Sequence, residues 1–285
     1  MPLPPKVFDR ELIARHLQRR TADADDFVTR LALDDLAARL ITVTRTFGRA
    51  LIVGPDARLL PIAGRSGNGV FNFDRAATVV PSMGAALVDP EALSLPLRFY
   101  DLIVSVLDLQ IVNDVPGFLA RVRAHLAPDG LFIGAALGGD SLTELREAFL
   151  VADAELSGGA FARVAPFIPL SDAGGLLQRA GFTLPVADVE THVVRYASPL
   201  ALMQELKALG ASNPLADRPG RLATPRLLAT AAAAYARLAG DPDGRVRATL
   251  ELIWMSGWAA HDSQQKPAAR GSATVGLKDV LGNRG

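Results

Sequence analysis

Polar side chains stand directly after several short apolar runs, where a parallel sheet would place a ligand. Gly54 and Asp56 follow the first run, Asp74 the second and Asp89 the third. In an open α/β sheet, ligands bind beyond the carboxyl ends of the strands. A glycine lets a ligand approach bare backbone, and an aspartate about eighteen residues further on can hydrogen-bond the hydroxyls of a ribose. The spacing therefore favours a nucleotide-like ligand, with Asp89 facing its base.

Each of these residues also has a simpler interpretation. The turn after the first run, GPDAR over 54–58, keeps one glycine, while Pro55 lacks an N–H donor and Arg58 is bulky. An ordinary turn between a strand and a helix is the alternative. Asp74 could be a solvated loop residue, and Asp89, in the sequence VDPE, fits a turn better than a ligand contact.

Three further features could carry chemistry. His261 and Gln264 could act together in acid/base chemistry, although a polar tail anchored by Trp258 explains them more simply. Arg163, in a loop, could present its guanidinium to a substrate carboxylate or a protein partner. Trp254 and Trp258 lie four residues apart and fit a covered sheet edge better than a cage for a cation.

The composition excludes several classes of protein. The chain has no cysteine, which rules out disulfides, thiol nucleophiles and thiolate metal sites, and none of its four histidines is four residues from another. The sequence therefore predicts no metal site. Thirty basic residues balance thirty acidic ones, which argues against nucleic acid as a partner. No stretch reaches the roughly 20 apolar residues of a membrane-spanning helix. Residues 6–20 are interpreted as a surface helix of the mature protein.

Strands and helices alternate along the chain. Apolar runs predict strands at 50–53, 69–73, 85–88, 102–107, 131–137, 192–196 and 248–255. Helical periodicity and caps predict helices at 6–20, 26–43, after Asp114, after a Ser141–Glu144 capping box, at 175–181, 199–209 and 224–238. This alternation predicts an α/β fold with a doubly wound, mostly parallel sheet and a helical insertion between the last two strands.

Several segments resemble known families. YDLIVSVLDLQIVNDVPG (100–117) and LAPDGLF (126–132) resemble class I S-adenosylmethionine-dependent methyltransferases. Other segments resemble more narrowly the respiratory complex I assembly factor 5 family, which is close to the biotin-pathway methyltransferases of malonyl-acyl carrier protein. They are FDR (8–10), GGDSLTELR (138–146), RVAPF (163–167), GGLLQRAGF (174–182), VRYASP (194–199), DGRVRAT (243–249) and GWAAHDSQQKP (257–267).

The resemblance implies a seven-stranded Rossmann-like sheet that binds S-adenosylmethionine over its first two strands. The implied contacts are Gly54 and Asp56 at the methionine end, Asp74 on the ribose, and Asp108 and Gln110 as a pocket wall. The family's turn of one acid and three glycines aligns with IVGPDAR (52–58), which has lost the acid and two glycines. The cofactor motif is therefore degenerate.

The same resemblance divides the chain into four parts. N-terminal helices (1–48) and the insertion (198–247) would cover a site on the core (49–197), followed by the last strand and a polar tail (248–285). Because the segment 261–267 has little apolar area to bury, we expect it to serve a partner or pocket surface more than folding.

Three functions remain open from the sequence. The first is an S-adenosylmethionine-dependent methyltransferase that acts on a protein or acyl-carrier substrate in complex I assembly. The second is a non-catalytic relative that serves as an assembly or scaffold factor, with a complex I subunit as partner. The third is a nicotinamide-nucleotide protein, which the bare fold alone supports. The expected location is the cytoplasm, at the inner-membrane periphery, or the mitochondrial matrix in a eukaryote, and the sequence is silent on oligomeric state.

Overall fold

A computed structural model of the chain describes residues 6–21, 24–220 and 222–264. The helices in these ranges are α1 (Arg10–Gln18), α2 (Phe27–Thr42), α3 (Val115–His125), α4 (Thr143–Ser157), α5 (Leu170–Arg179), α6 (Pro199–Ala208) and α7 (Pro225–Ala239). The strands are β1 (Ala50–Asp56), β2 (Ala63–Ser66), β3 (Gly69–Val80), β4 (Ala85–Leu87), β5 (Tyr100–Val106), β6 (Leu126–Leu137), β7 (Thr183–Tyr196) and β8 (Val246–Trp258). Each predicted element is present, although β3 and β7 are much longer than expected.

All eight strands of the described ranges belong to one sheet. Its order is β2-β3-β1-β5-β6-β8-β7, with β4 paired to β3. Neighbouring strands are parallel, except that β8 runs antiparallel to β6 and β7, and β2 runs antiparallel to β3. The strand order reverses between β1 and β5, which confirms the predicted doubly wound, Rossmann-like α/β sheet. The short β2 is an eighth strand that the sequence did not predict.

The connection from β1 to β3 contains no α-helix. A 3-10 turn at Ala57–Leu59 leads into β2, which forms a hairpin with the start of β3. Pro61, Gly64 and Gly67 explain this conformation, because proline removes a helical hydrogen bond and glycine has a low helix propensity. The expected turn from strand to helix is therefore wrong at this position.

Aspartates begin several of the helices. The side chains of Asp9, Asp26 and Asp114 each accept a hydrogen bond of 2.9 Å from the backbone N–H three residues later. These bonds satisfy amides that the first turn of a helix leaves without a partner. The cap that the sequence predicted at Asp114 is therefore confirmed. None of the helices in the described ranges is long and apolar enough to cross a bilayer.

The core lies on both faces of the sheet. On one face, α3 and α5 bury side chains that include Phe118, Leu119 and Leu177 against β5 and β6. On the other face, α2 packs Leu36 and Leu40 over β1, β5 and β6. At about 25 cal/mol per Å² of apolar area, this two-sided burial is the main stabilising term of the fold.

The insertion between β7 and β8 is helical, as predicted. Its α6 and α7 pack on α4 through a separate apolar cluster that includes Leu145, Leu202 and Ala234. Tyr235 of α7 is fully buried, and its hydroxyl donates a 2.9 Å hydrogen bond to the carbonyl of Arg247 in β8. The insertion is therefore anchored to the end of the sheet.

The predicted capping box at the start of α4 does not form. Leu142 occupies the N-cap position with a φ of 55°. Ser141 instead bonds the backbone of Glu251, donating to the carbonyl and accepting from the N–H. The Glu144 carboxylate accepts from the N–H and hydroxyl of Thr249 at 2.6 to 3.1 Å. Both side chains therefore join α4 to β8.

We expect Glu144→Ala to lower the free energy of unfolding by about 1–3 kcal/mol, because it leaves part-buried donors of β8 without an acceptor. Glu147→Ala is the matched control, because Glu147 lies on the same helix and is exposed; its effect should stay within about 0.5 kcal/mol. Urea denaturation of both variants measures the difference. Equal stabilities would show that the link between α4 and β8 contributes nothing.

Candidate functional site

The candidate site is the edge of the sheet where β1, β3 and β5 end. Asp56 at the end of β1 is paired in register with Val80 of β3, and the preceding Val53 with Ser105 of β5. Asp108 lies two residues after the end of β5. Ligands of doubly wound sheets bind at this edge, close to the reversal of strand order.

The side chain of Asp56 forms its hydrogen bonds within its own turn, to Arg58. Asp56 is 2% exposed, and its carboxylate accepts hydrogen bonds from the backbone N–H of Arg58 at 3.0 Å and from Arg58 Nη2 at 2.6 Å. Arg58 Nε donates to both carboxylate oxygens at 2.9 and 3.1 Å. The hydrogen bond to Asp56 raises the pKa of Arg58. Arg58 therefore balances the charge of Asp56, and no ligand is needed for this.

Leu60 occupies the space into which a side chain at position 54 would point. A Cβ added to Gly54 would lie 2.9 Å from Leu60 Cδ2 and 3.1 Å from the carbonyl oxygen of Val106. Leu60 is 6% exposed and belongs to the core that α2 covers. A glycine has no side chain and so permits close approach to its backbone. At Gly54 it is Leu60 of the same protein that makes this approach.

Asp108 is the buried carboxylate of the site. It is fully buried, and the hydroxyl of Thr78 donates a hydrogen bond to its Oδ1. Its Oδ2 has no hydrogen-bond partner among the described residues. Burial raises the pKa of Asp108, while the charge of Arg10 and the bond from Thr78 lower it in part.

The N-terminal segment closes this edge. Arg10 of α1 donates 2.6 Å and 3.3 Å hydrogen bonds to the carbonyls of Thr78 and Ile111. Phe8 exchanges hydrogen bonds with the side chain of Asn113 and pairs with Leu215 of the insertion. Arg10 and Thr78 were missed as site residues, although Arg10 belongs to the FDR segment that carries part of the resemblance.

The remaining predicted cofactor contacts lie apart from Asp56 and Asp108, or have partners of their own. The expectation that a strand ends before Asp74 is wrong, because β3 continues to Val80. Asp74 is exposed and pairs in register with Leu51, near the opposite end of β1.

Asp89 is exposed, and its Oδ1 accepts from the N–H of Glu91 at 2.9 Å, which is the geometry of the alternative turn. Gln110 lies next to Asp108 and donates a 2.8 Å hydrogen bond to the carbonyl of Leu107. Its Oε1 is buried and, in the described part of the chain, has no donor. Of Asp89 and Gln110, only Gln110 therefore lies beside Asp108.

Arg163 is held in a buried ion pair. Its Nε and Nη2 contact the two carboxylate oxygens of Asp153 at 2.6 and 2.7 Å. Asp153 is fully buried, and the side chain of Arg163 is 12% exposed. A guanidinium in this bidentate pair is not presented to a substrate, so its loop position misled the sequence prediction.

The C-terminal segment is divided between an exposed and an anchored residue. His261 is exposed, and its ring contacts Ser263 of its own turn at 2.7 Å. Gln264 accepts from the hydroxyl of Thr183 at 2.8 Å and donates to Asp129 Oδ1 at 2.9 Å. The expectation that this segment adds little to the fold is therefore wrong for Gln264, and residues 265–267 lie outside the described ranges.

The turn after β1 determines whether this edge can hold a nucleotide-like cofactor. S-adenosylmethionine and a nicotinamide nucleotide both rely on a helix N-terminus after the first strand, whose amides bind the ligand. Here that helix is replaced by the turn at Ala57–Leu59, and Leu60 covers Gly54. The residues at this edge do not fit either cofactor in that position.

Comparison with known proteins gives close relatives in sequence. No family model matches the chain. It is 34% identical over 290 residues to "Arginine-hydroxylase NDUFAF5, mitochondrial" of Danio rerio, covering 96% of this chain and 89% of the relative. It is 36% identical over 196 residues to a malonyl-acyl-carrier-protein O-methyltransferase of Halorhodospira halophila, covering 69% and 64%. Among solved structures, the YcgJ protein of Bacillus subtilis has a TM-score of 0.49 at 12% identity, covering 81% of this chain and 99% of that one.

We expect Asp108→Asn to stabilise the protein at neutral and alkaline pH. Because the folded state raises the pKa of Asp108, the contribution of this residue is fully present below its ordinary value of 3.8 and is lost as the pH rises through the raised value. The variant keeps an acceptor for Thr78 and removes the buried charge. Its advantage in urea denaturation should therefore grow as the pH rises above 3.8.

Asp74→Asn is the matched control, because Asp74 is exposed and its neutralisation should leave stability almost unchanged over the same pH range. A difference in stability between D108N and the natural chain that does not change with pH would contradict a raised pKa of Asp108.

Proposed function

This chain belongs to the family of the NDUFAF5 arginine hydroxylases, and we propose that it acts as a non-catalytic member that binds a protein partner in respiratory complex I assembly. The observation that carries this proposal is the turn after β1, where Leu60 fills the space beside Gly54 and no helix follows. The fold has kept its sheet and its cover, while the part that would bind a cofactor has been replaced.

The state of the remaining site residues supports the same function. Asp56 is paired with Arg58, and Arg10 caps the carbonyl of Thr78. Both arrangements satisfy polar groups internally, which is what a protein needs when no ligand will satisfy them. An enzyme instead leaves groups available for its substrate at the strand ends.

The helical insertion between β7 and β8 carries exposed apolar side chains that could contact a partner. Leu200 of α6, Leu222 of the segment between α6 and α7, and Leu238 of α7 are 45%, 93% and 48% exposed. Apolar side chains exposed on one contiguous surface are typical of protein interaction sites, and Leu222 is the most exposed of the three. We propose that this surface binds a complex I subunit or an assembly intermediate. The NDUFAF5 relatives are named as mitochondrial. The place of action of this chain would be the mitochondrial matrix in a eukaryote, or the cytoplasmic side of the inner membrane in a bacterium.

Methyl transfer is the second candidate function. Relatives named as malonyl-acyl-carrier-protein O-methyltransferases suggest it. The specific observation in its favour is the pair of buried acceptors without donors, Asp108 Oδ2 and Gln110 Oε1, because a ligand N–H could satisfy them. A protein or acyl-carrier substrate would then be methylated at this edge.

Binding of S-adenosylhomocysteine separates the two functions. We expect no change in melting temperature with millimolar ligand, because no cofactor-binding turn remains. A real site at about 100-fold excess over its dissociation constant would add about 2.7 kcal/mol of stability, which a thermal shift detects. A saturable shift that Gly54→Ala abolishes would contradict the proposal and favour the methyltransferase.

Complementation tests the proposed role in the cell. In a strain lacking the gene, we expect the double variant Asp56→Ala/Arg58→Ala to restore complex I activity in membranes about as well as the natural chain. Leu222→Asp, which places a charge on the insertion, should restore less than about a tenth, as expected for loss of a central apolar contact of an interface. Melting curves of both variants show that they fold. Loss of activity in the double variant with activity retained in Leu222→Asp would overturn the non-catalytic function.

A further inference from the structure

The two edges of the sheet differ greatly in length. At one edge, β2 and β4 have four and three residues. At the other edge, β7 spans 14 residues, Thr183–Tyr196, and pairs with β8 alone. Proteins shorten, charge or cover their edge strands, because the unpaired N–H and C=O groups of such a strand can pair with another chain. The sheet is shortened at the first edge and remains long at β7.

The outer side of β7 is uncovered in the part of the chain that the structure describes. Val186 and Val193 are 56% and 60% exposed, and Thr191 between them is exposed as well. No hydrogen bond within the described ranges joins the main chain of β7 to an element other than β8. The irregular register of β7 lies before Val186, beside Pro185, so the rest of the strand is regular. A second strand has access to this edge.

The charged side chains of β7 have partners in their own chain. Arg195 contacts two aspartates of the turn before β8 at 2.8 and 2.7 Å. Asp188 and Glu190 contact Arg39 at 2.8 and 3.1 Å. Charged residues on an edge strand deter pairing with other chains. Because these groups are paired internally, they oppose an approaching strand less than isolated charges would.

The sequence of β7 is complementary to itself in an antiparallel arrangement. Thr191 can lie opposite the same residue of a second copy. In that register Val189 lies opposite Val193. Glu190 lies opposite His192, so each carboxylate meets an imidazole. Both pairs occur twice, once on either side of a two-fold axis, and pairs of β-branched residues and of threonines stabilise an antiparallel sheet.

Neighbouring registers are less favourable. An axis at Glu190 places two carboxylates directly opposite each other, and an axis at Val189 places Asp188 opposite Glu190. Like charges directly opposite each other destabilise a pair of strands. An axis at His192 places two imidazoles together and leaves Glu190 opposite Val194. The charges and the valines therefore select the register centred on Thr191.

We propose that two copies of this chain associate through β7, which pairs antiparallel with β7 of the second copy about a two-fold axis at Thr191. The two sheets form one continuous sheet, and the free edge of each is removed. Val186 and Val193 of both copies then lie in the interior of the joined sheet instead of at its edge. Because the same surface is used by both copies, the contact closes after two and forms a dimer rather than a fibre.

Disulfide cross-linking tests the position of the axis. The natural chain has no cysteine, so a single introduced thiol can form a disulfide only with a second copy. Opposite residues of antiparallel strands have Cα atoms about 4.5–5.5 Å apart, which a disulfide spans. We expect Thr191→Cys to form a covalent dimer under mild oxidation at least about tenfold faster than Leu184→Cys, because pairing raises the effective concentration of the thiol.

Leu184→Cys is the matched control, because Leu184 is 54% exposed on the same strand but lies far from the axis. Equal rates of cross-linking in the two variants would overturn the proposed register.

Sedimentation equilibrium measures the association itself. We expect the natural chain to be a dimer, and Thr191→Lys to raise its dissociation constant at least about tenfold, because two ammonium groups then face each other at the axis. Val70→Lys is the matched control, because Val70 is 73% exposed in the hairpin at the other edge of the sheet. Melting curves show that both variants fold.

Two results would overturn the proposal. One is a natural chain that is monomeric at every concentration, as expected if an extended segment of another protein or residues 265–285 of this chain occupied the edge of β7. The other is a dimer that Thr191→Lys leaves as tight as the natural one, because its interface would then lie elsewhere.

Discussion

The length and sequence of the connection from β1 to β3 constrain the rest of the molecule. Residues 57–68 must return the chain to the start of a parallel strand, and about a dozen residues is the least that such a crossover needs. Pro61, Gly64 and Gly67 prevent a helix, so the chain crosses in extended form as β2. No helix N-terminus then points at the end of β1, and the amides that bind phosphate or cofactor groups in related folds are missing.

Loss of that helix changes how the sheet is covered. The face above β1 and β3 is closed by α2, which precedes the sheet, and by an aromatic cluster. Phe71 packs edge to face with Phe47 and Phe73, with ring centres 5.2 and 5.1 Å apart. Gly64 makes this packing possible, because a Cβ there would lie 2.7 Å from Phe71 Cζ. The short crossover and the apolar cover are therefore one arrangement, and the aromatic cluster closes the amino end of β1, where Phe73 pairs in register with Ala50.

The buried carboxylates differ in whether their charges and hydrogen bonds are matched by partners. Asp56 and Asp153 are each paired with an arginine, which offsets the cost of removing a charge from water. Asp108 has a hydroxyl from Thr78 and the more distant charge of Arg10, and one of its oxygens remains without a bond in the described structure. Burial without a directly paired cation raises the pKa of Asp108.

The sequence by itself determined the features that depend on neighbours in the chain. The helices with aspartate caps, the apolar runs that became strands, the α/β class and the helical insertion were all predictable, because capping and periodicity act over a few residues. The tertiary structure alone decided which polar residues meet. Glu144 bonds a strand 105 residues away rather than its own helix, and Arg39 meets Asp188 across 149 residues. The burial of Asp108 and the position of Leu60 against Gly54 also depend on packing. Such contacts are set by the geometry of the assembled sheet, which no local pattern in the sequence encodes.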